Sequence, residues 1–253
     1  MKKIALLLLS LSFFKTFAGY YGQELRDEFE NGSKVNGNLI GEIRYAANKN
    51  FRPLGYKKKA KRILFGSLHL EKDRDGYFVM DLYCGFKVRS KVGPNRIPTN
   101  NIMNTEHTWP QSLGSRSEPK RGDLHHLFPT NMPANSARSS HPFGEVIGRD
   151  ATDICSASQK GKIINPKTGK ATTTFGFQPP FEHRGDVARA MFYFAAKYGY
   201  RLDQLQEFYL RKWNIDDPVD EKERKRNDGV EKAQGNRNPF IDFPSLVERI
   251  KDI

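Results

Sequence analysis

Residues 187–198 are apolar on nearly every side, so a helix there has no face to offer water and must be enclosed by the rest of the chain. The means of enclosing it are present: 18 Phe and 10 Tyr among 253 residues, within 37% hydrophobic residues, can fill a sizeable core and exclude wholesale disorder. No internal repeat, low-complexity tract or linker divides the body of the chain, and one domain is the simplest account.

A second apolar run, residues 4–14, sits behind Lys2 and Lys3 and ahead of Thr16-Phe17-Ala18. It is too short for a stable membrane span and has the order of a secretory signal peptide. Residues 1–18 are therefore expected to be removed, leaving a domain over 19–253; Lys15 allows the cut to fall a residue or two away. No later apolar run approaches the roughly 18 residues a membrane span needs. Outside the cytoplasm Cys84 and Cys155 are expected to form a disulfide, which would stabilise the domain by roughly 4 kcal/mol in the chain-entropy model. The alternative is two unrelated buried thiols, since spacing along the chain does not fix the Cα separation.

The chain carries 42 Lys+Arg against 29 Asp+Glu, a formal net charge of +13. Between Glu42 and Glu71 there is no acid, yet Arg44, Lys49, Arg52, Lys57, Lys58, Lys59, Lys61 and Arg62 fall there; residues 82–105 are also acid-free and hold Lys87, Arg89, Lys91 and Arg96. Arg116, Lys120 and Arg121 follow. Such clustering is the footprint of a polyanion ligand, because each neutralised phosphate releases counterions. A solvated basic surface, an anionic envelope surface or an acidic polysaccharide would account for charge alone.

Periodicity predicts helices over residues 23–48 and 56–65, a hairpin turn at Asp73-Arg74-Asp75-Gly76, and a strand over 77–83 with residues 68–70 as its partner. The segment 102–105 reads as a short strand leading into Glu106-His107. Pro129-Thr130-Asn131 starts a helix with Pro133 in its first turn and Asn135 and Arg138 on one face. Residues 234–240 break any helix ahead of a final short one.

Four of the six histidines, His107, His125, His126 and His141, lie within 35 positions that also contain Glu106, Asp123, Asn131, Asn135 and Arg138. Phosphodiester hydrolysis needs a base to deprotonate water, a cation to neutralise the pentavalent charge, and a group to stabilise the leaving oxygen. Glu106 and an Asn135 carbonyl would give oxygen ligands suited to magnesium, with His107 as the base; on the residues alone a structural cluster is the commoner reading.

The segments Asn104-Thr105-Glu106-His107-Thr108-Trp109-Pro110-Gln111-Ser112, Asp123-Leu124-His125-His126-Leu127-Phe128-Pro129 and Asn135-Ser136-Ala137-Arg138-Ser139 resemble the endonuclease I family of secreted and periplasmic nonspecific nucleases. Tyr83-Cys84-Gly85, Gly185-Asp186-Val187-Ala188-Arg189-Ala190 and Gln234-Gly235-Asn236-Arg237-Asn238-Pro239-Phe240-Ile241-Asp242 extend the likeness over most of residues 23–245. The resemblance implies an α+β class, a mixed α/β nuclease domain containing a ββα-metal, or His-metal finger, active site. It implies one divalent ion, Mg2+ or another, on Glu106 and Asn135, and His107 as general base. DNA and RNA would be cut with little sequence preference by a monomer in the periplasm or outside the cell. The arginine that steadies the product phosphate is either Arg116 or Arg121. Lys120 and Arg138 are candidates for nucleic-acid contact, Arg138 equally for a structural salt bridge. His125 reads as a scaffold hydrogen-bonder, and Asp123 as a residue that orients its loop. Better-known members carry several disulfides, whereas this chain has one possible pair and Phe86 after Tyr83-Cys84-Gly85, so disulfide-dependent activation is not implied.

A zinc peptidase would need His-Glu-x-x-His, which is absent, and a zinc-stabilised treble clef would need two cysteine pairs. The competing class is a basic secreted protein that binds nucleic acid without catalysis. An ordinary imidazole at His107 would make activity fall below about pH 6.

Overall fold

The computed structural model describes residues 19–253, and the signal peptide expected at residues 1–18 lies outside the described residues. Gly32 ends the helix expected over 23–48, splitting it into α1 (Gln23–Asn31) and α2 (Asn36–Asn48). The interruption is held from the far end of the chain. Arg249 donates to the carbonyls of Glu28 (2.8 Å), Phe29 (3.1 Å) and Lys34 (2.9 Å), so the freed backbone acceptors at the end of α1 are satisfied.

A helical stretch over residues 55–68 follows, with wide turns at Gly55–Ala60 and Leu64–Leu68 around a regular turn at Lys61–Ile63. Ala60, Leu64 and Phe65 are buried while Lys57, Lys58 and Lys59 face water. The expected hairpin forms about its turn, as β1 (Leu70–Asp73) and β2 (Gly76–Met80), with β1 reaching past the expected 68–70 and β2 stopping short of 83, and β3 (Lys87–Val88) joins them into an antiparallel sheet.

Two further strands, β4 (Asn104–His107) and β5 (Leu127–Thr130), pair antiparallel with Glu106 opposite Phe128 and His107 opposite Leu127. Helix α3 (Met132–Arg138) comes directly after β5. The Asn131 side chain caps it, accepting a hydrogen bond from the Ala134 amide at 2.8 Å, and Pro133 lies in its first turn, where a missing amide hydrogen costs nothing. A third sheet, β6 (Val146–Thr152), β7 (Cys155–Ile164) and β8 (Ala171–Gln178), is antiparallel throughout.

The enclosed helix is α4 (Arg184–Tyr198), buried at all but three of its 15 residues and ended by Gly199 in the left-handed region (φ 72°). Around it lie α2, α5 (Gln204–Asp216), α6 (Glu221–Gln234) and α7 (Pro239–Asp242). Its apolar neighbours include Phe29, Ile43, Trp109, Phe177, Trp213 and Phe240. A smaller core of Tyr56, Leu64, Val79, Met103, Leu124 and Leu127 ties the 55–68 stretch to β2 and β5. The class is α+β.

Cys84 and Cys155 are bonded, with Cα atoms 4.9 Å apart across 71 positions of sequence. The bridge fastens the segment after β2 to the first residue of β7. Among the described residues no helix is long and apolar enough to cross a membrane.

Candidate functional site

Glu106 and His107 end β4, and both border one open cavity of about 250 Å³ together with Tyr56, Gln111, Asn135 and Ser140. Adjacent residues of a regular strand point to opposite faces. Here β4 stops at His107, and Pro110 and a 3-10 turn (Gln111–Leu113) fold the chain back, so both side chains reach the same space.

The His107 Nε2 lies 3.1 Å from the Arg121 carbonyl, which can only accept, so Nε2 carries the proton. Nδ1 is then the basic nitrogen, and the Gln111 side-chain amide donates to it at 3.4 Å. Burial pushes the imidazole down to about 3, with a further contribution from His126. Held below the ordinary imidazole value on which the expected fall in activity below about pH 6 rested, the buried ring is the free base throughout the neutral range.

Glu106 is buried, and burial raises its carboxyl above the usual range while the charge of Arg138 pulls it back. Arg138 Nε is 3.2 Å from Glu106 Oε1, but neither atom makes an aligned hydrogen bond. The rest of the Arg138 guanidinium donates to the carbonyls of Thr108 (2.6 Å) and Ser139 (2.9 Å) and stacks over Phe143. At 1% exposure Arg138 is paired with Glu106, the geometry of the structural salt bridge that the sequence left as open as a phosphate contact. Asn135, one turn earlier on α3, donates its amide to the Thr105 carbonyl at 3.3 Å, which leaves its Oδ1 uncommitted.

The loop 116–122 places the two candidate arginines differently, although neither side chain is part of the cavity wall. Glu118 accepts from the amides of Tyr56 (2.7 Å) and Gly122 (3.1 Å), drawing the loop against the 55–68 stretch. Arg121 then stacks on the Tyr56 ring (4.7 Å), which itself packs on His107 (4.9 Å). Arg116 is exposed and is not part of the cavity wall. Lys120 points to Tyr200, bonding its hydroxyl at 2.9 Å, so the structure does not bring its side chain to the cavity. Sequence reasoning missed Tyr56 and Gln111. The only signal for Gln111 was its place in the motif after His107, and Tyr56 had none beyond standing beside the lysine run.

Behind the site Asp123 is wholly buried and bonds Lys197, Tyr193, Tyr198 and Gln234 at 2.8 to 2.9 Å. Its other contact, with the His125 amide, starts the turn Leu124–His126. His125 bonds the Asn236 carbonyl (3.1 Å) and His126 the Lys120 carbonyl (2.7 Å), each leaving Nδ1 buried with no partner. Burial pushes these two imidazoles down to about 3 and about 4. An imidazole with a depressed pKa folds neutral, so stability is complete above about pH 6.5 and is lost as the unfolded chain gains protons that the folded chain refuses. At about 1.4 kcal/mol per pH unit per histidine, His125 and His126 should together contribute a loss of roughly 2 to 3 kcal/mol to urea-denaturation stability between pH 7 and pH 5.5, with His107 adding a like share of its own. A stability flat over that interval would contradict the buried neutral pair.

The sequence model of the family described as Endonuclease I matches residues 38–245. The chain belongs to the endonuclease I family. This endonuclease I family chain is 34% identical over 167 residues to an extracellular ribonuclease of Bacillus subtilis, covering 58% of the chain and 53% of that relative. It is 34% identical over 125 residues to a periplasmic deoxyribonuclease of Aeromonas hydrophila (48% and 47%), and 31% identical over 172 residues to an extracellular deoxyribonuclease of the same organism (63% and 72%). It spans about half the length of the Bacillus relative and of the periplasmic one. Members of the family generally depend on a divalent metal.

The residues at the cavity fit such an ion. Glu106 borders the cavity with one carboxylate oxygen, Oε1, turned to Arg138, and Asn135, whose Oδ1 is uncommitted, stands on the same wall, so a carboxylate and a carboxamide are the donors present. Among the described residues no group of three or more His, Cys, Asp or Glu forms a metal cage. A hard cation that keeps several waters suits so small an oxygen donor set better than zinc does.

Proposed function

We propose that the protein is a secreted, sequence-nonspecific, metal-dependent endonuclease that hydrolyses phosphodiester bonds in DNA and RNA, working as a monomer in the periplasm or outside the cell. The observation that carries this reading is the locked tautomer of His107. Its Nε2–H is spent on the Arg121 carbonyl, and a neutral Nδ1 shares the cavity with Glu106 and Asn135. Nδ1 takes the proton from the attacking water, with Gln111 steering its lone pair. Glu106 and Asn135 would hold Mg2+, which when bound supplies positive charge for the phosphate oxygens in the transition state and for the leaving oxygen. Arg121, set against Tyr56 and Arg138-independent in its contacts, steadies the product phosphate. Arg138 holds the Glu106 carboxylate in place.

The relatives named as ribonuclease and as deoxyribonuclease support a substrate defined by its phosphates and not by its sugar or bases. The lysines at 57–59, exposed beside Tyr56, supply charge for a backbone passing the cavity. A disulfide fits an oxidising compartment.

The test is degradation of plasmid and of single-stranded RNA by the mature protein with magnesium and with EDTA. Both substrates should be cut, and chelation should abolish cutting until magnesium is restored. Tight DNA binding without cleavage under any divalent ion would instead support the non-catalytic binder.

A further inference from the structure

The third sheet carries an open face that the nuclease reading leaves unused. Ile147 on β6, Lys162 on β7 and Phe175 on β8 are direct cross-strand partners, so their side chains stand side by side on one face. Ile147 is 55% and Phe175 43% exposed, and Lys162 is exposed between them. Arg149 and Lys160, also opposite one another and two residues along, share that face. Among the described residues none of these three cations has an ion-pair partner, so their charge is free to meet an anion.

The face adjoins the cavity. Ser140 borders the cavity, and His141, the next residue, packs its ring 4.8 Å from that of Phe175. Burial, then the charges of Arg138 and Lys160, lower the His141 imidazole, so Lys160 stands near the same junction. Helix α3, which carries Asn135, packs on β6 and β7. A flat aromatic ring flanked by unpaired cations is the chemistry that holds unpaired bases: every base has a π-face, and the cations follow the phosphates.

Resting on the nuclease reading, we infer that this face is a subsite for a single strand of nucleic acid leaving the cavity past Ser140, with a base stacked on Phe175 beside Ile147 and its phosphates on Lys162 and Lys160. The subsite makes single strands and frayed ends better held than intact duplex, whose bases are not free to stack.

Phe175→Ala, Phe175→Trp and Lys162→Glu test this in the full mature protein with magnesium, using a labelled oligothymidine, a duplex of equal length, and bis(p-nitrophenyl) phosphate, which reaches only the cavity. Phe175→Ala should raise the KM for oligothymidine roughly five- to a hundred-fold, leave kcat and the small diester unchanged, and shift the duplex less; Phe175→Trp should restore the KM. Lys162→Glu should raise the oligothymidine KM and flatten its salt dependence. An unchanged oligothymidine KM in Phe175→Ala overturns the subsite, as does an equal shift for duplex. Loss of binding to anionic lipid vesicles with an unchanged KM would assign the face to a membrane surface and overturn it too. If the parent protein cleaves none of the three substrates, the nuclease reading fails on its own. Fluorescence anisotropy of oligothymidine then decides the face: weaker binding by Phe175→Ala supports it, and equal binding removes it.

Discussion

His107→Ala is expected to lower plasmid and RNA cleavage by about 10² to 10⁴-fold while leaving DNA affinity near that of the parent, because a positioned base contributes that much and phosphate binding does not use it. The ring is buried against Tyr56 and His126, so removing it opens a small void, and thermal melting must accompany the kinetics to separate lost chemistry from lost packing. Two further results identify the proton acceptor. Added imidazole, small enough to enter the void, should return part of the rate to His107→Ala and none to the parent. Gln111→Ala, which removes the donor 3.4 Å from Nδ1, should reduce kcat by less than His107→Ala does, since the base itself remains. A His107→Ala protein that is folded and cuts at the parent rate would transfer the role of base elsewhere and leave the cavity without its proposed function.

Glu106, His107 and Asn135 were singled out by the resemblance of their segments to the endonuclease I family, since a carboxylate, an imidazole and a carboxamide at those separations are equally consistent with a structural cluster. The helix start that carries Asn135 was legible from Asn131 and Pro133. Legibility failed where contacts come from distant sequence. Asn31-Gly32 is a local breaker that the helical period over 23–48 masks, and the contact that closes the end of α1 comes from Arg249, more than 200 residues away. The β6 to β8 sheet was equally silent, and its register explains why. Gly148, Gly161 and Gly176 lie side by side across the three strands, and a Cβ at Gly148 would fall 2.0 Å from the Lys160 carbonyl oxygen. Where strands approach that closely glycine replaces the alternating apolar residues that mark a strand, and the usual period of two disappears. The stacking of Arg121 on Tyr56 depends on the Glu118 bonds that draw the loop inward, which no spacing could reveal.

Asp123→Asn is expected to cost roughly 3 to 5 kcal/mol of folding stability, the range for removing one partner of a buried ion pair. The side chain keeps its shape, yet Lys197, fully enclosed and 2.8 Å away, is left as a charge without a counter-ion, and the hydroxyls of Tyr193 and Tyr198 lose their shared acceptor. Burial alone would raise the Asp123 carboxyl; the charge and hydrogen bond of Lys197 outweigh it and hold the group far below the carboxylate range. A carboxyl depressed in this way adds stability above its unfolded value near pH 4 and loses it as the pH falls further. Its protonation therefore acts at lower pH than the imidazoles of His125 and His126. The companion variant Asp123→Asn with Lys197→Met removes both charges, so it should be more stable than Asp123→Asn alone; denaturant midpoints measure the difference. If the double variant is no better, the cost lies in the lost hydrogen bonds and not in the orphaned ammonium. Activity should follow the same network, because Asp123 starts the turn that places His126 under Lys120, and the adjoining Arg121 carbonyl fixes the His107 tautomer. A double variant that regains stability but not kcat would show that Asp123 serves the base through its loop, by a route separate from its service to the fold.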